Sequence, residues 1–360
     1  MPLFVVFDIP HTYYLPQYTP VIELLLSKGV KCGAMLYHDN DDALKAKAVQ
    51  PLGIEVHWAK DEKQAAELYS QLKPNWIIFG NDFKQLSNIT SATRTALIYH
   101  GSGTGAKASS LSSGLAEYDV RFVAGPGRMK IFSEHFPNVQ LHEVGFAKLD
   151  ALRNTDTLKS VQLNLAELGL DPNKKTILYA PTFYPSSIEN MPPSFPRDFS
   201  AYNILIKAHD FTLHKKKYAH QLKALKHWSQ ESNVYFAGED EFSLVPFMAS
   251  ADIMISDTSS AIFEFTSLNK PVVICDFPHL RWGYRGLFKY RLKKRLDSST
   301  THYQEVAEKV GSYKLLKETV EKHINQPELR EDLRMKYASE IMGNMDGYAS
   351  QRIYEILNRS

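Results

Sequence analysis

Residues 251–265 read ADIMISDTSSAIFEF: an apolar run ending at Ser256, a polar turn from Asp257 to Ser260, then apolar residues at helical spacing. That pattern is a strand feeding a helix. In open α/β sheets ligands lie outside the carboxyl ends of the strands, and the first turn of the next helix presents N–H groups to an anion. Asp257, Thr258, Ser259 and Ser260 are therefore candidate anion-binding residues. The same residue types are also the commonest helix N-caps, so this turn alone leaves an ordinary helix start equally open.

Outward from this stretch, apolar runs recur at Thr176 to Ala180, Tyr202 to Lys207, Val234 to Phe236 and Pro271 to Asp276. An earlier series covers Phe4 to Asp8, Cys32 to Tyr37, Ile54 to His57, Trp76 to Gly80, Ala96 to His100, Arg121 to Ala124 and His142 to Gly145. Helix-like patterns separate the first of these at Pro20 to Ser27, Asp41 to Val49 and Lys63 to Leu72. Such alternation predicts parallel sheets covered by helices, an α/β fold of two doubly wound Rossmann-like domains in tandem. The expected division is residues 1–155, residues 156–345 and a carboxyl-terminal helix over 346–360, with ligand in the cleft between domains. Between Phe183 and Ser200, Pro185, Pro192, Pro193 and Pro196 argue against regular structure. A loop over the cleft or a plain surface excursion is expected there.

Composition narrows the class of function. With 360 residues, 44% of them hydrophobic, the chain can bury two cores. Lys and Arg number 42 against 40 Asp and Glu, so a net charge of +2 gives no reason to expect nucleic acid. The two cysteines, Cys32 and Cys275, follow no metal spacing and read as buried thiols in a reducing compartment. No apolar segment approaches the roughly 20 residues that a membrane span needs, so the expected location is cytoplasmic or on a membrane face.

Other clusters carry chemistry. His100 ends a strand and precedes a glycine-rich turn with Gly101 and Lys107; GxGxG here is neither a Walker A loop nor the dinucleotide fingerprint. A histidine there suits a general base, or a structural role. In LIKAHD, Lys207 and His209 alternate at a strand's end and point to one side, which suits a phosphate or a solvated strand end. The segment 281–295, RWGYRGLFKYRLKKR, mixes cations with aromatics and suits a polyanion, an anionic membrane or simply solvent. Lys215 to Lys217 read as the exposed side of a helix.

Taken in order, YAPTF at 179–183, IKAHD at 206–210, ISDTSSAIFEF at 255–265, KPVVICDFP at 270–278 and DGYASQRIYEIL from Asp346 resemble blocks of the CDP-glycerol glycerophosphotransferase family. These enzymes build teichoic-acid-like and capsular poly(alditol phosphate) chains. The resemblance implies a GT-B fold and transfer of an alditol phosphate from CDP-glycerol or CDP-ribitol to a lipid-linked or polysaccharide acceptor, with CMP released. It implies His100 as base beside Gly101 and Lys107 on the acceptor side, and His209 as a second catalytic histidine. Lys207 and His209 would contact the donor phosphates, and Ser259 and Ser260 would hold the diphosphate, with Asp257, Thr258 and Glu264 also on the donor side. Tyr99 stands where the family often has tryptophan.

No carboxylate cluster is spaced for magnesium, so no tightly bound metal or cofactor is expected. Lipid-linked acceptors would bring Arg285, Lys289, Lys293 and Lys294 to an anionic inner membrane face. Two rival readings remain: another GT-B enzyme, either a glycosyltransferase or a nucleotide-sugar epimerase, and a non-catalytic glycan-binding protein.

Overall fold

The structure, a computed structural model, describes residues 3–99, 117–153, 155–280 and 305–359. Among them, one compact unit comprises residues 3–99, 117–153 and 339–359, and the other 155–280 and 305–338.

The first unit holds seven parallel strands: β1 (Phe4–Ile9), β2 (Lys31–Tyr37), β3 (Glu55–Ala59), β4 (Trp76–Phe79), β5 (Arg94–Ile98), β6 (Val120–Val123) and β7 (Gln140–Glu143). Their order is β3-β2-β1-β4-β5-β6-β7, so the winding reverses between β1 and β4. Alternate residues of β1 feed two cores. Val5, Phe7 and Ile9 join one cluster, while Val6 joins the other with Ile77 and Phe79. Both faces being covered, the inner strand β4, WIIF, is apolar and buried throughout rather than alternating.

The tail helix Ala349–Asn358 belongs to this unit, placing Ile353 and Leu357 in the first of those cores. Trp76 Nε1 donates to the Leu357 carbonyl at 3.1 Å, and the Asp150 carboxylate accepts the helix's first amides, from Ala349 and Ser350, at 3.1 and 2.8 Å. An acceptor at that end also complements the helix dipole.

The second unit holds β8 (Thr176–Ala180), β9 (Asn203–Ile206), β10 (Val234–Phe236), β11 (Ile253–Ser256), β12 (Val272–Cys275) and β13 (Glu308–Val310). All pair in parallel in the order β10-β9-β8-β11-β12-β13, with the reversal between β8 and β11. The edge strand β13 is absent from the expected series because its three residues, Glu308 to Val310, form no apolar run.

The proline-containing segment is partly regular and partly buried, not a plain surface excursion. It forms a 3-10 turn at Ile188–Asn190 and a short helix at Phe195–Asp198, with Pro196 in the first turn, where its missing N–H costs nothing. Ile188, Met191, Phe195 and Phe199 enter the unit's core, which offsets the irregular backbone. Side chains stitch it down as well: Gln221 donates to the Phe183 carbonyl at 3.1 Å, and Asn190 to that of Phe277 at 2.7 Å. Lys215 to Lys217 are exposed as expected, but they lie in a 3-10 turn ahead of helix Ala219–Trp228 rather than along a helix.

Candidate active site

The reversal between β8 and β11 places two loops side by side. Ser256 pairs with Ala180 in register, and its hydroxyl donates to the Ala180 carbonyl at 2.6 Å, so the chains leave the sheet together. One continues as Pro181, Thr182 and Phe183, the other as Asp257 to Ser260.

Asp257 ties these loops to each other. It is 2% exposed, and its Oδ2 accepts the Thr182 amide at 2.9 Å while Oδ1 accepts the Ser187 amide at 2.9 Å. Burial pushes its carboxyl up to about 7, against the hydrogen bonds from Ser187, Thr182 and Ser186 that favour the charged form. Asp257 thus holds two main-chain amides of the neighbouring loop.

Thr258 is exposed, and Ser259 and Ser260 are half-buried at the start of helix Ala261–Thr266. Ser260 is the N-cap residue, yet its hydroxyl makes no capping hydrogen bond; the Ser259 hydroxyl lies 3.4 Å from that of Ser256. The helix is six residues long. Glu264, in its first turn, is 2% exposed and faces inward.

At the end of β9, Lys207 still pairs with the sheet through its amide, which donates to the Tyr179 carbonyl at 3.0 Å. Lys207 and His209 are half-buried on either side of buried Ala208. His209 caps helix Asp210–His214: its Nδ1 accepts the Phe211 amide at 3.1 Å. That bond fixes the neutral tautomer, leaving the proton on Nε2. The ring is held edge-on to Phe183, with centroids 4.7 Å apart, and beside Phe211 at 5.0 Å. One nitrogen of the imidazole is thus committed to the fold.

Thr182, Phe183 and Ser187 are the positions that sequence reasoning undervalued. Their residue types announce no chemistry; only the strand pairing that sets Ala180 beside Ser256 exposes their part. His100, Gly101 and Lys107, together with Arg285, Lys289, Lys293 and Lys294, lie outside the described residues. Among the described residues no group of three or more His, Cys, Asp or Glu is placed to hold a metal ion, and no helix is long and apolar enough to cross a membrane. Cys32 and Cys275 are free, buried thiols, both pushed up by burial.

Two parallel Rossmann-like sheets, one carrying polar loops at its reversal point, define an α/β protein of GT-B type. Solved structures of that type agree. A wall teichoic acid polymerase, TagF, matches 100% of this chain and 89% of its own at 15% identity with a TM-score of 0.68. A UDP-GlcNAc 2-epimerase from Neisseria meningitidis matches all of both chains at 16% identity and 0.62. The chain belongs to the CDP-glycerol:poly(glycerophosphate) glycerophosphotransferase family, whose model matches residues 90–358. Curated relatives include the teichoic acid ribitol-phosphate primase of Bacillus spizizenii strain W23, 26% identical over 167 residues, and the teichoic acid glycerol-phosphate primase of Bacillus subtilis strain 168, 28% identical over 169. Each match spans 44% of this chain and 41% or 39% of the relative.

Proposed function

We propose that the chain transfers glycerol phosphate or ribitol phosphate from a CDP-alditol to a hydroxyl of a lipid-linked or polysaccharide acceptor, releasing CMP. Family membership supports the donor class. The observation that carries the reading is the reversal point of the second sheet, where Asp257 ties the Thr182–Phe183 loop, against which the His209 ring packs, to the turn that carries Ser259 and Ser260.

In this reading the acceptor oxygen attacks the phosphorus bearing the alditol, the P–O bond to CMP breaks, and charge gathers on the departing phosphate. Such a transfer needs positioning and charge stabilisation more than covalent chemistry. Lys207 and the Nε2–H of His209 meet the developing charge, and the hydroxyls of Ser259 and Ser260 hold the diphosphate. Each donor is worth about 2–4 kcal/mol where water is excluded. His100 takes the acceptor's proton. Asp257 acts one step back, holding the Thr182–Phe183 loop against which the His209 ring rests.

Product analysis with CDP-glycerol, CDP-ribitol and UDP-sugars tests the reading. CMP together with a new phosphodiester is the expected result; UDP, or an epimerised sugar, would assign the site to another GT-B chemistry. The membrane part is tested separately by liposome flotation, where salt-sensitive binding to anionic vesicles is expected and indifference to lipid charge removes it.

A further inference from the structure

The His209 ring has two aromatic walls. Phe183, on the loop after β8, meets it edge-on, and Phe211 flanks it from helix Asp210–His214, the helix that His209 itself caps. These walls leave the sheet from different strands. The register of β8 with β9 ends at the pair Tyr179 and Ile206, so side chains must set the spacing of what lies beyond.

Gln221 does so. It lies in the first turn of helix Ala219–Trp228 and is fully buried. Its amide nitrogen donates to the Phe183 carbonyl at 3.1 Å and to Glu189 Oε1 at 2.8 Å, while its Oε1 accepts the Thr212 hydroxyl at 3.2 Å. Thr212 is 1% exposed, and its own amide donates to the His209 carbonyl at 2.8 Å. Gln221 therefore reaches His209 twice, through Thr212 to its main chain and through Phe183 to its ring. Glu189, in the 3-10 turn Ile188–Asn190, anchors the far side; its Oε1 also pairs with His220 Nε2 at 2.9 Å. One planar amide thus serves three polar groups, with two donors and one acceptor. A shift of either wall would leave a buried polar group unpaired, which is costly, so the amide holds both walls at one spacing.

We propose that Gln221 is a positioning residue for the transfer: it sets where the His209 ring stands, through Phe183 on one side and Thr212 on the other, without touching a substrate. Its part in turnover rests on the transferase reading above. The coupling of Gln221 to His209 rests on the hydrogen bonds alone.

Two measurements on the full-length protein test this. The first needs no turnover: in protein with isotope-labelled histidine, the His209 ring resonance is identified by its loss in His209→Asn. Gln221→Met, close in size but without the amide, shifts or broadens that resonance and leaves the ring of His323, held by Glu308 in another part of the unit, where it was. The second is a double-mutant cycle on kcat/KM for CDP-glycerol. Gln221→Met lowers it about tenfold in the wild-type background and by no more than about twofold in His209→Asn, because a ring that is absent cannot be misplaced. A glutamine that only supports the fold would cost the same factor in both. Where Gln221→Met fails to fold, Thr212→Val, which removes only the hydroxyl, carries both measurements. An unmoved His209 resonance in a folded variant overturns the proposal, and so do equal factors in the two backgrounds. If the resonance moves but no CDP-alditol yields CMP in wild type, the coupling stands and the transferase reading fails.

Discussion

The carboxylate of Asp257 accepts the main-chain N–H of Ser187 at 2.9 Å across 70 residues of sequence, and its other oxygen holds Thr182. An aspartate at a helix start thereby fixes the shape of the loop against which the His209 ring packs. Replacing it with alanine strands two amides, at about 1–3 kcal/mol each. Asp257→Ala should therefore lose about 2–6 kcal/mol in urea denaturation, and Asp257→Asn, which keeps one acceptor oxygen, about half of that.

His209 separates fold from chemistry. Asparagine is a good N-cap, so His209→Asn keeps an acceptor for the Phe211 amide while removing the Nε2 donor. Its melting temperature should stay within a few degrees of wild type while kcat falls by roughly 100-fold or more. His209→Ala should lose the cap too, about 1 kcal/mol. Equal kcat in His209→Asn and wild type would remove the histidine from the mechanism.

Asp8, on β1, predicts a pH dependence. It is buried, and its Oδ1 accepts the hydroxyls of Tyr37 at 2.6 Å and Tyr69 at 2.7 Å. Burial raises its carboxyl from 3.8 to about 7, with Glu62 adding a little in the same direction. The folded state therefore holds a proton that the unfolded chain releases. Stability from this group is full below about pH 4 and is lost as pH rises through 7, up to about 4 kcal/mol in all. Asp8→Asn keeps an oxygen for both tyrosines and should flatten that slope, making the variant the more stable protein at pH 8. Denaturation at pH 5 and pH 8 decides it; parallel slopes in both proteins would contradict the assignment.

Gly125 is required for space rather than for backbone freedom. A Cβ there would meet the Gly343 nitrogen at 2.5 Å and the Ile341 carbonyl oxygen at 2.7 Å, backbone atoms that cannot swing aside. Gly125→Ala should cost about 1–3 kcal/mol or more. Gly311→Ala, where a Cβ meets nothing within 4 Å, should change stability by less than about 0.5 kcal/mol.

The sheets were readable because both faces of each are covered, so buried strands such as Trp76–Phe79 and Ile253–Ser256 appear as unbroken apolar runs. Glu308–Val310 was not, because the strand is three residues long and Val310 is its one apolar side chain. An amphipathic tail helix declares one apolar face but not its partner, so the packing of Ile353 and Leu357 into the first unit needed coordinates. At the candidate site, the position of Lys207 and His209 just past the end of β9 was legible from the apolar run before them. The role of Asp257 was not, since a residue that caps a helix, one that binds an anion and one that pins a distant loop can all be the same aspartate. Phe183 and Thr182 carry no chemical signature at all; their importance comes from lying beside β11.

The central claim is that the carboxyl ends of β8, β9 and β11 hold the donor. Calorimetric titration of CDP-glycerol into wild type, Lys207→Met and His209→Asn measures this without turnover. The account predicts affinity weakened by roughly tenfold or more in each variant at unchanged melting temperature. CDP-glycerol bound equally well by all three proteins, or by none, would contradict it.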